Sequence, residues 1–327
     1  MPFRIRVTLI VLAALASTVL LLPLVWPVPP LEGVAPARDV AAADATWIDA
    51  GALDLHARLA GPPADGDGIG VAFLHGFGSN LESFALVQDV LAQRAPTVAW
   101  DRPAFGLSER PLSWSGENPY GPDAQVAHVL TALDAAGIER AVLVGHSAGG
   151  PIAIQAALDH PERVAGLVLI APAVYRGGGA PAWSRWALHT PQLERIGPLL
   201  MRQLGGEPGE SLLRSSYADP ERLRPEVLEA YRRATRVQNW DRGLWELVKA
   251  SREPDLADRL GEVDVPTLVV TGLQDTIVPP DQTIRLAGDL PDARLLEIDD
   301  CGHLPQEECV APLIAAIDAW WSERLTP

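Results

Sequence analysis

Ser147, Asp275 and His303 are far apart in the chain, and together they have the side chains that nucleophilic acyl chemistry requires. A serine hydroxyl is a weak nucleophile until a general base takes its proton, and a third group must hold that base in the right tautomer. Ser147 sits in G-H-S-A-G, residues 145 to 149, between the apolar run A-V-L-V and the helix-like P-I-A-I-Q-A-A-L-D-H. Read alone, the stretch also fits a small residue in a tight turn. The strand before it and the helix after it favour a sharp strand-to-helix turn, with flanking small residues letting the two elements approach and the serine held in strained backbone angles. The N-terminus of the following helix favours negative charge there.

Of seven histidines, His303 in D-D-C-G-H-L-P follows the final apolar run and is the expected base. His56 (strand-like), His128 (helix), His160 (helix end) and His189 read as structural or solvated, and His146 as a packing residue pointing away from Ser147. Asp275, in T-L-V-V-T-G-L-Q-D-T-I-V-P, stands just beyond a strand in a turn that Gly272 helps to form, at the carboxyl edge where open α/β sheets bind ligands. Asp299 and Asp300 are alternatives without a preceding strand and turn. Two N–H donors must face the developing oxyanion. Ala148, next after the serine, supplies one, and Phe77 in F-L-H-G-F-G-S-N the other. The competing view of that second stretch is a plain turn before a helix, braced by His75.

The elements that position these residues alternate. L-D-L-H-A-R-L, I-G-V-A-F-L, T-V-A-W, A-V-L-V-G, V-A-G-L-V-L-I, T-L-V-V-T-G and A-R-L-L-E-I read as strands, with amphipathic helices between them such as D-A-Q-V-A-H-V-L-T-A-L-D-A-A-G, which ends at Gly137. This predicts an α/β fold, a mostly parallel twisted sheet of about eight strands with helices on both faces, and an antiparallel hairpin around Gly51. Residues 172–262 show no strand-like run and are too long for a loop, so they read as a helical cap inserted into a core of 46–171 and 263–327. The cap holds Gly177 to Gly179 and Trp183, Trp186, Trp240 and Trp245; each Trp is either core packing or an apolar substrate lining.

Residues 7–26 carry no charge and follow Arg4 and Arg6, which is the length of a bilayer span with its basic flank in the cytoplasm. Residues 1–28 are therefore expected to be a membrane anchor with the body outside, or a signal segment if A-P-A at 35 to 37 is cut and the protein secreted. Pro- and Ala-rich residues 29–45 read as a linker. Cys301 and Cys309 are either a disulfide pair or two free thiols. The formal net charge of −16, without clustered Lys and Arg, argues against nucleic acid. No phosphate-loop, dinucleotide or zinc signature occurs, and no metal or cofactor is implied.

From about residue 46 to 322 the chain resembles the α/β-hydrolase superfamily in its cap-bearing branch. The likeness rests on H-G-F-G-S-N, D-R-P-A-F-G-L-S, G-H-S-A-G-G, G-L-Q-D-T-I-V-P and G-H-L-P-Q-E-E. It implies a serine hydrolase working on an apolar acyl substrate through Ser147, Asp275 and His303. The same machinery serves carboxylesterases, lipases, lactonases, cofactor-free haloperoxidases or perhydrolases, and carbon–carbon bond hydrolases. Epoxide and haloalkane hydrolases carry Asp where this chain has Ser147, and carbon–carbon hydrolases usually carry an aromatic residue where it has Leu304. A non-catalytic binding protein on the same fold is the remaining alternative.

Overall fold

A computed structural model describes residues 3–63, 68–175, 182–251 and 256–326. Eight strands form one sheet in the order β1-β2-β4-β3-β5-β6-β7-β8. They are β1 (Thr46–Asp49), β2 (Asp54–Ala60), β3 (Ile69–Leu74), β4 (Thr97–Trp100), β5 (Arg140–His146), β6 (Val164–Ile170), β7 (Thr267–Gly272) and β8 (Ala293–Ile298). The β1–β2 hairpin is antiparallel and β2 pairs antiparallel with β4, while every pairing from β4 to β8 is parallel. Helices of seven residues or more are numbered α1 (Phe3–Val25), α2 (Ala85–Leu91), α3 (Pro122–Ala135), α4 (Gly149–Asp159), α5 (Pro191–Met201), α6 (Glu207–Ser215), α7 (Pro225–Ala234), α8 (Trp240–Ala250), α9 (Pro280–Asp289) and α10 (Val310–Arg324).

The central strands are apolar throughout because both sheet faces are covered. Successive side chains point to opposite faces. On β6, Leu167 and Leu169 join the core shared with α3, α4 and α9, whereas Val168 and Ile170 join the core under α2 and α10. Edge strand β8 points Arg294 and Glu297 outward, charge that discourages pairing with another chain.

Between β6 and β7 the chain leaves the sheet and builds α5 to α8. Their amphipathic faces pack on one another: the Trp245 ring lies against Gly197 of α5, so close that a Cβ there would sit 2.3 Å from the indole. Lys249, the chain's single lysine, ties α8 to Glu194 of α5 at 2.7 Å. Gly177 to Gly179 lie outside the described residues.

The stretch read as a free linker is different in the structure. Ala35 pairs with the cap through Ala35 N–H to Arg236 O and Gln238 N–H to Ala35 O, both 2.8 Å, and Ala37 is buried with Leu107 and Val237. Proline- and alanine-rich composition hides this packing, since such a segment can satisfy its backbone against a neighbour without hydrophobic periodicity.

Candidate active site

Ser147 follows β5 and precedes α4, and it is one of the few non-glycine residues with positive φ, at 49°. That left-handed conformation is strained for a side chain with a Cβ and persists where surroundings impose it. The imposing contacts are backbone: a Cβ on Gly149 would lie 2.1 Å from Leu74 O, and one on Gly145 would lie 2.8 Å from Gly149 O. Both positions need glycine, and the strand-to-helix turn closes around them. Ser147 N–H donates to Ile170 O at 2.9 Å, pinning the turn to β6.

Asp275 and His303 arrive on loops after β7 and β8. His303 Nδ1 donates to Asp275 Oδ2 at 2.7 Å, and both residues are buried. Asp275 Oδ1 accepts the N–H groups of Ile277 and Val278 at 2.8 and 2.9 Å, so both carboxylate oxygens are engaged. With its proton on Nδ1, the His303 ring keeps a lone pair on Nε2. Ser147 and His303 line the same cavity, of about 220 Å³. Among the described residues no hydrogen bond joins Ser147 Oγ to the imidazole. Asp299 bonds Gln274 and Asp300 bonds Arg222, so neither alternative acid holds the histidine.

Phe77 lies on the cavity wall. A Cβ on Gly76 would fall 3.0 Å from Ser147 Cβ, so the peptide leading into Phe77 runs beside the serine. Ala148 is the first residue before α4. His75 braces this loop: its Nδ1 donates to Gly76 O at 2.8 Å and its Nε2 accepts the Arg102 N–H at 2.9 Å. Burial, aided by the Arg102 charge, pushes His75 down to about 4 and keeps the ring neutral in that tautomer. Asp101 accepts hydrogen bonds from the Leu81 and Leu107 N–H groups and from His56 Nδ1. Burial opposes its charge, but His56 and these donors outweigh that and hold the carboxyl below its usual range. The D-R-P-A-F-G-L-S segment is thus scaffolding for the H-G-F-G turn.

Of the four cap tryptophans, only Trp240 lines the cavity. Trp245 is buried inside the cap, and Trp183 and Trp186 are on the surface, 80% and 70% exposed. Their expected role as pocket lining is corrected accordingly: indole content alone does not tell inner from outer helix faces.

Sequence reasoning missed several residues. His146 is not just packing, since its ring meets His303 at 4.7 Å and its Nε2 donates to His303 O at 2.8 Å. Burial and the neighbouring His303 push its pKa far down, so it stays a neutral donor. Glu308 accepts Gly302 N–H (2.8 Å), Ala218 N–H (3.1 Å) and Asp219 N–H (3.0 Å), joining the His303 loop to the cap. Glu307 is buried and accepts from Ser83, Tyr217 and Tyr231. Tyr231 also bonds Ser79 Oγ at 3.0 Å, and both line the cavity. Two successive acids in a turn before an apolar helix were the available signal. Cys301 and Cys309 form a disulfide, Cα to Cα 6.2 Å, that closes the loop bearing His303.

The sequence profile of the alpha/beta hydrolase fold matches residues 71–309. An uncharacterised hydrolase of Bacillus subtilis, YugF, is 30% identical over 72% of this chain and 83% of its own. The 2-hydroxymuconate semialdehyde hydrolase of Pseudomonas sp. CF600 is 31% identical over 79% of this chain and 88% of its own. Among solved structures, Est816, described as an N-acyl homoserine lactone degrading enzyme, superposes with a TM-score of 0.64 at 26% identity, covering 84% of this chain and 99% of that one. A thermophilic esterase from Thermogutta terrifontis shares the fold, with a TM-score of 0.68, 24% identity and coverage of 86% and 98%. With the profile spanning most of the chain and hydrolases as its relatives, this protein belongs to the α/β-hydrolase family and is a hydrolase.

Proposed function

We propose that the enzyme cleaves carboxylic esters or related acyl compounds through an acyl-enzyme on Ser147. The observation that carries this reading is that Ser147, in its strained turn, shares one cavity with a histidine whose far nitrogen is held by Asp275. His303 Nε2 takes the hydroxyl proton as Ser147 Oγ attacks the carbonyl carbon. The imidazolium, stabilised by Asp275, returns that proton to the leaving alcohol. Water then attacks the acyl-enzyme by the same route in reverse roles, releasing the acid. The N–H groups of Phe77 and Ala148 receive the oxyanion, each worth about 10²–10³ in rate. Phe77, Leu204, Leu213, Trp240 and Leu244 give the cavity an apolar wall suited to a medium-sized acyl or alkyl group.

A second reading is carbon–carbon bond hydrolysis with the same three residues. The Pseudomonas relative's name favours it, and Leu304 in the wall beside His303 is the departure that weighs against it. An acyl-chain series of aryl esters assayed beside a 2-hydroxy-6-oxodienoate separates the two. Ester turnover lost in Ser147→Ala, with fluorophosphonate labelling of the wild type only, is the expected result. Equal labelling of wild type and Ser147→Ala would sink the serine-hydrolase reading altogether.

A membrane anchor is part of the same proposal. Helix α1 is 23 residues long, carries no acidic residue, and has Arg4 and Arg6 in its first turn. The Cys301–Cys309 disulfide suits an oxidising compartment outside the cytoplasm. Alkaline carbonate should leave the full chain in the membrane pellet. Complete release to the supernatant would rule the anchor out.

A further inference from the structure

Helix α1 and the cap are joined by specific polar contacts. Gln192 Nε2 donates to Leu20 O at 3.1 Å, Arg195 donates through Nε and Nη2 to Trp26 O at 3.2 and 3.1 Å, and Arg202 Nη1 donates to Pro29 O at 2.8 Å. Gln192, Arg195 and Arg202 follow one another along α5 and its end, so α5 runs beside the last turns of α1 and the chain leaving it. Leu20 lies five residues before the end of α1, which at 1.5 Å per residue is roughly 7 Å down its axis. A headgroup layer is about 5–7 Å thick on each side of the hydrocarbon. An α1 that spans a bilayer therefore brings α5 into that layer, and the cap cannot stand clear of it on a spacer.

The cap surface just before α5 carries the features of an interfacial face. Trp183 and Trp186 are the two most exposed tryptophans among the described residues, and they occupy the short helical turns Ala182–Ser184 and Arg185–Leu188 that lead directly into α5. Tryptophan concentrates at bilayer interfaces because its ring is apolar while its N–H still needs a polar partner. Leu200 of α5 and Leu212 of α6 are also about half exposed. Leu212 belongs to the cavity wall as well, together with Leu204, Gly205, Gly206 and Gly209. The segment that follows the membrane-side helix is thus one rim of the catalytic cavity.

We propose that this cap face seats on the outer surface of the bilayer that holds α1, with Trp183 and Trp186 at headgroup depth, so that the cavity draws acyl substrates dissolved in the membrane past the rim at Leu212. The proposal rests on the anchor reading and, for its substrate, on the ester reading. The occupant is lipid, because α1 fixes this face within reach of the bilayer it crosses.

The test uses the full chain reconstituted in phosphatidylcholine vesicles. Bromine-labelled phosphatidylcholine should quench wild-type tryptophan emission, and quenching should fall by a third or more in a Trp183→Phe, Trp186→Phe double variant. On a long-chain ester dissolved in the vesicles, a Trp183→Ser, Trp186→Ser double variant should raise KM about tenfold. On a short water-soluble ester its kcat/KM should stay within twofold of wild type, since neither residue lines the cavity. Unchanged quenching in the Phe variant, or equal loss on both esters in the Ser variant, overturns the docking face. Carbonate extraction of the same vesicles judges the anchor separately: full release overturns anchor and docking together, whereas retention without the quenching difference overturns docking alone. Quenching needs no turnover, so failure of the ester reading leaves that arm decisive.

Discussion

At the scale of single residues, the proposed mechanism depends on proton placement. Asp275 holds the His303 proton on Nδ1, so Asp275→Asn, with an amide that can present its N–H to that nitrogen, should favour the wrong tautomer. Turnover should drop by about 10⁴ with little change in KM, measured on the best ester of the acyl series. A drop below tenfold would mean the pair is structural. Glu307 makes a different prediction. Burial raises its pKa above the ordinary 4.5, against the donors Ser83, Tyr217 and Tyr231 and the Arg224 charge, so the folded protein holds that proton more tightly than the unfolded chain. Its contribution to stability is therefore complete below about pH 4.5 and is lost as pH rises through the raised value, each tenfold difference in proton affinity between the two states being worth about 1.4 kcal/mol. Glu307→Gln should flatten the decline of Tm toward alkaline pH; an unchanged profile would contradict the assignment.

At the scale of elements, local patterns proved legible and distant pairings did not. G-H-S-A-G could be placed on a strand, a turn and a helix because its glycines answer contacts within one strand–helix unit and the adjoining strand. Asp275 and His303 could be placed after strands because strands announce themselves as apolar runs. Nothing local could show that His146 donates to the carbonyl of His303, 157 residues away, or that Glu308 gathers N–H groups from the cap. The split among the cap tryptophans was hidden for the same reason. The Cys301–Cys309 disulfide, one of two options left open by sequence, closes a short loop around His303. By loop entropy it is worth about 2.5 kcal/mol. Cys301→Ser with Cys309→Ser should lower stability by about that amount in urea unfolding, and should cost turnover as well because the loop carries His303, the proposed base. Unchanged stability and rate would show that Glu308 and the cap suffice to hold the loop.

At the scale of the whole molecule, acid should act through buried neutral histidines. His75 and His128 are each pushed from 6.5 down to about 4, by burial first and the Arg102 charge second, and His146 is lowered too. The unfolded chain binds these protons more readily than the folded one. Stability from these groups is fully present above pH 6.5 and is lost as pH falls toward 4, a displacement of that size being worth on the order of 3 kcal/mol for a buried ring. Tm measured from pH 7 to 4 should fall steeply across that window. The fall should be shallower in a His128→Gln variant, and equal slopes in variant and wild type would mean that this ring protonates without cost. The −16 formal charge at neutral pH shrinks over the same range, which relieves self-repulsion and works against the loss, so the histidine effect must be read from variants such as His128→Gln.

The contacts of Glu308 also join two segments that lie far apart in the chain. One carboxylate holds Gly302, next to His303, and Ala218 and Asp219 of the cap, while His303 N–H itself rests on Ser216 O at 2.7 Å. The cap and the loop bearing His303 are therefore latched together, and a displacement of the cap at this corner would disturb the imidazole. On the proposed mechanism, a cap displaced at this corner would carry His303 away from Ser147, so that substrate entry by this route and proton transfer would exclude each other in time.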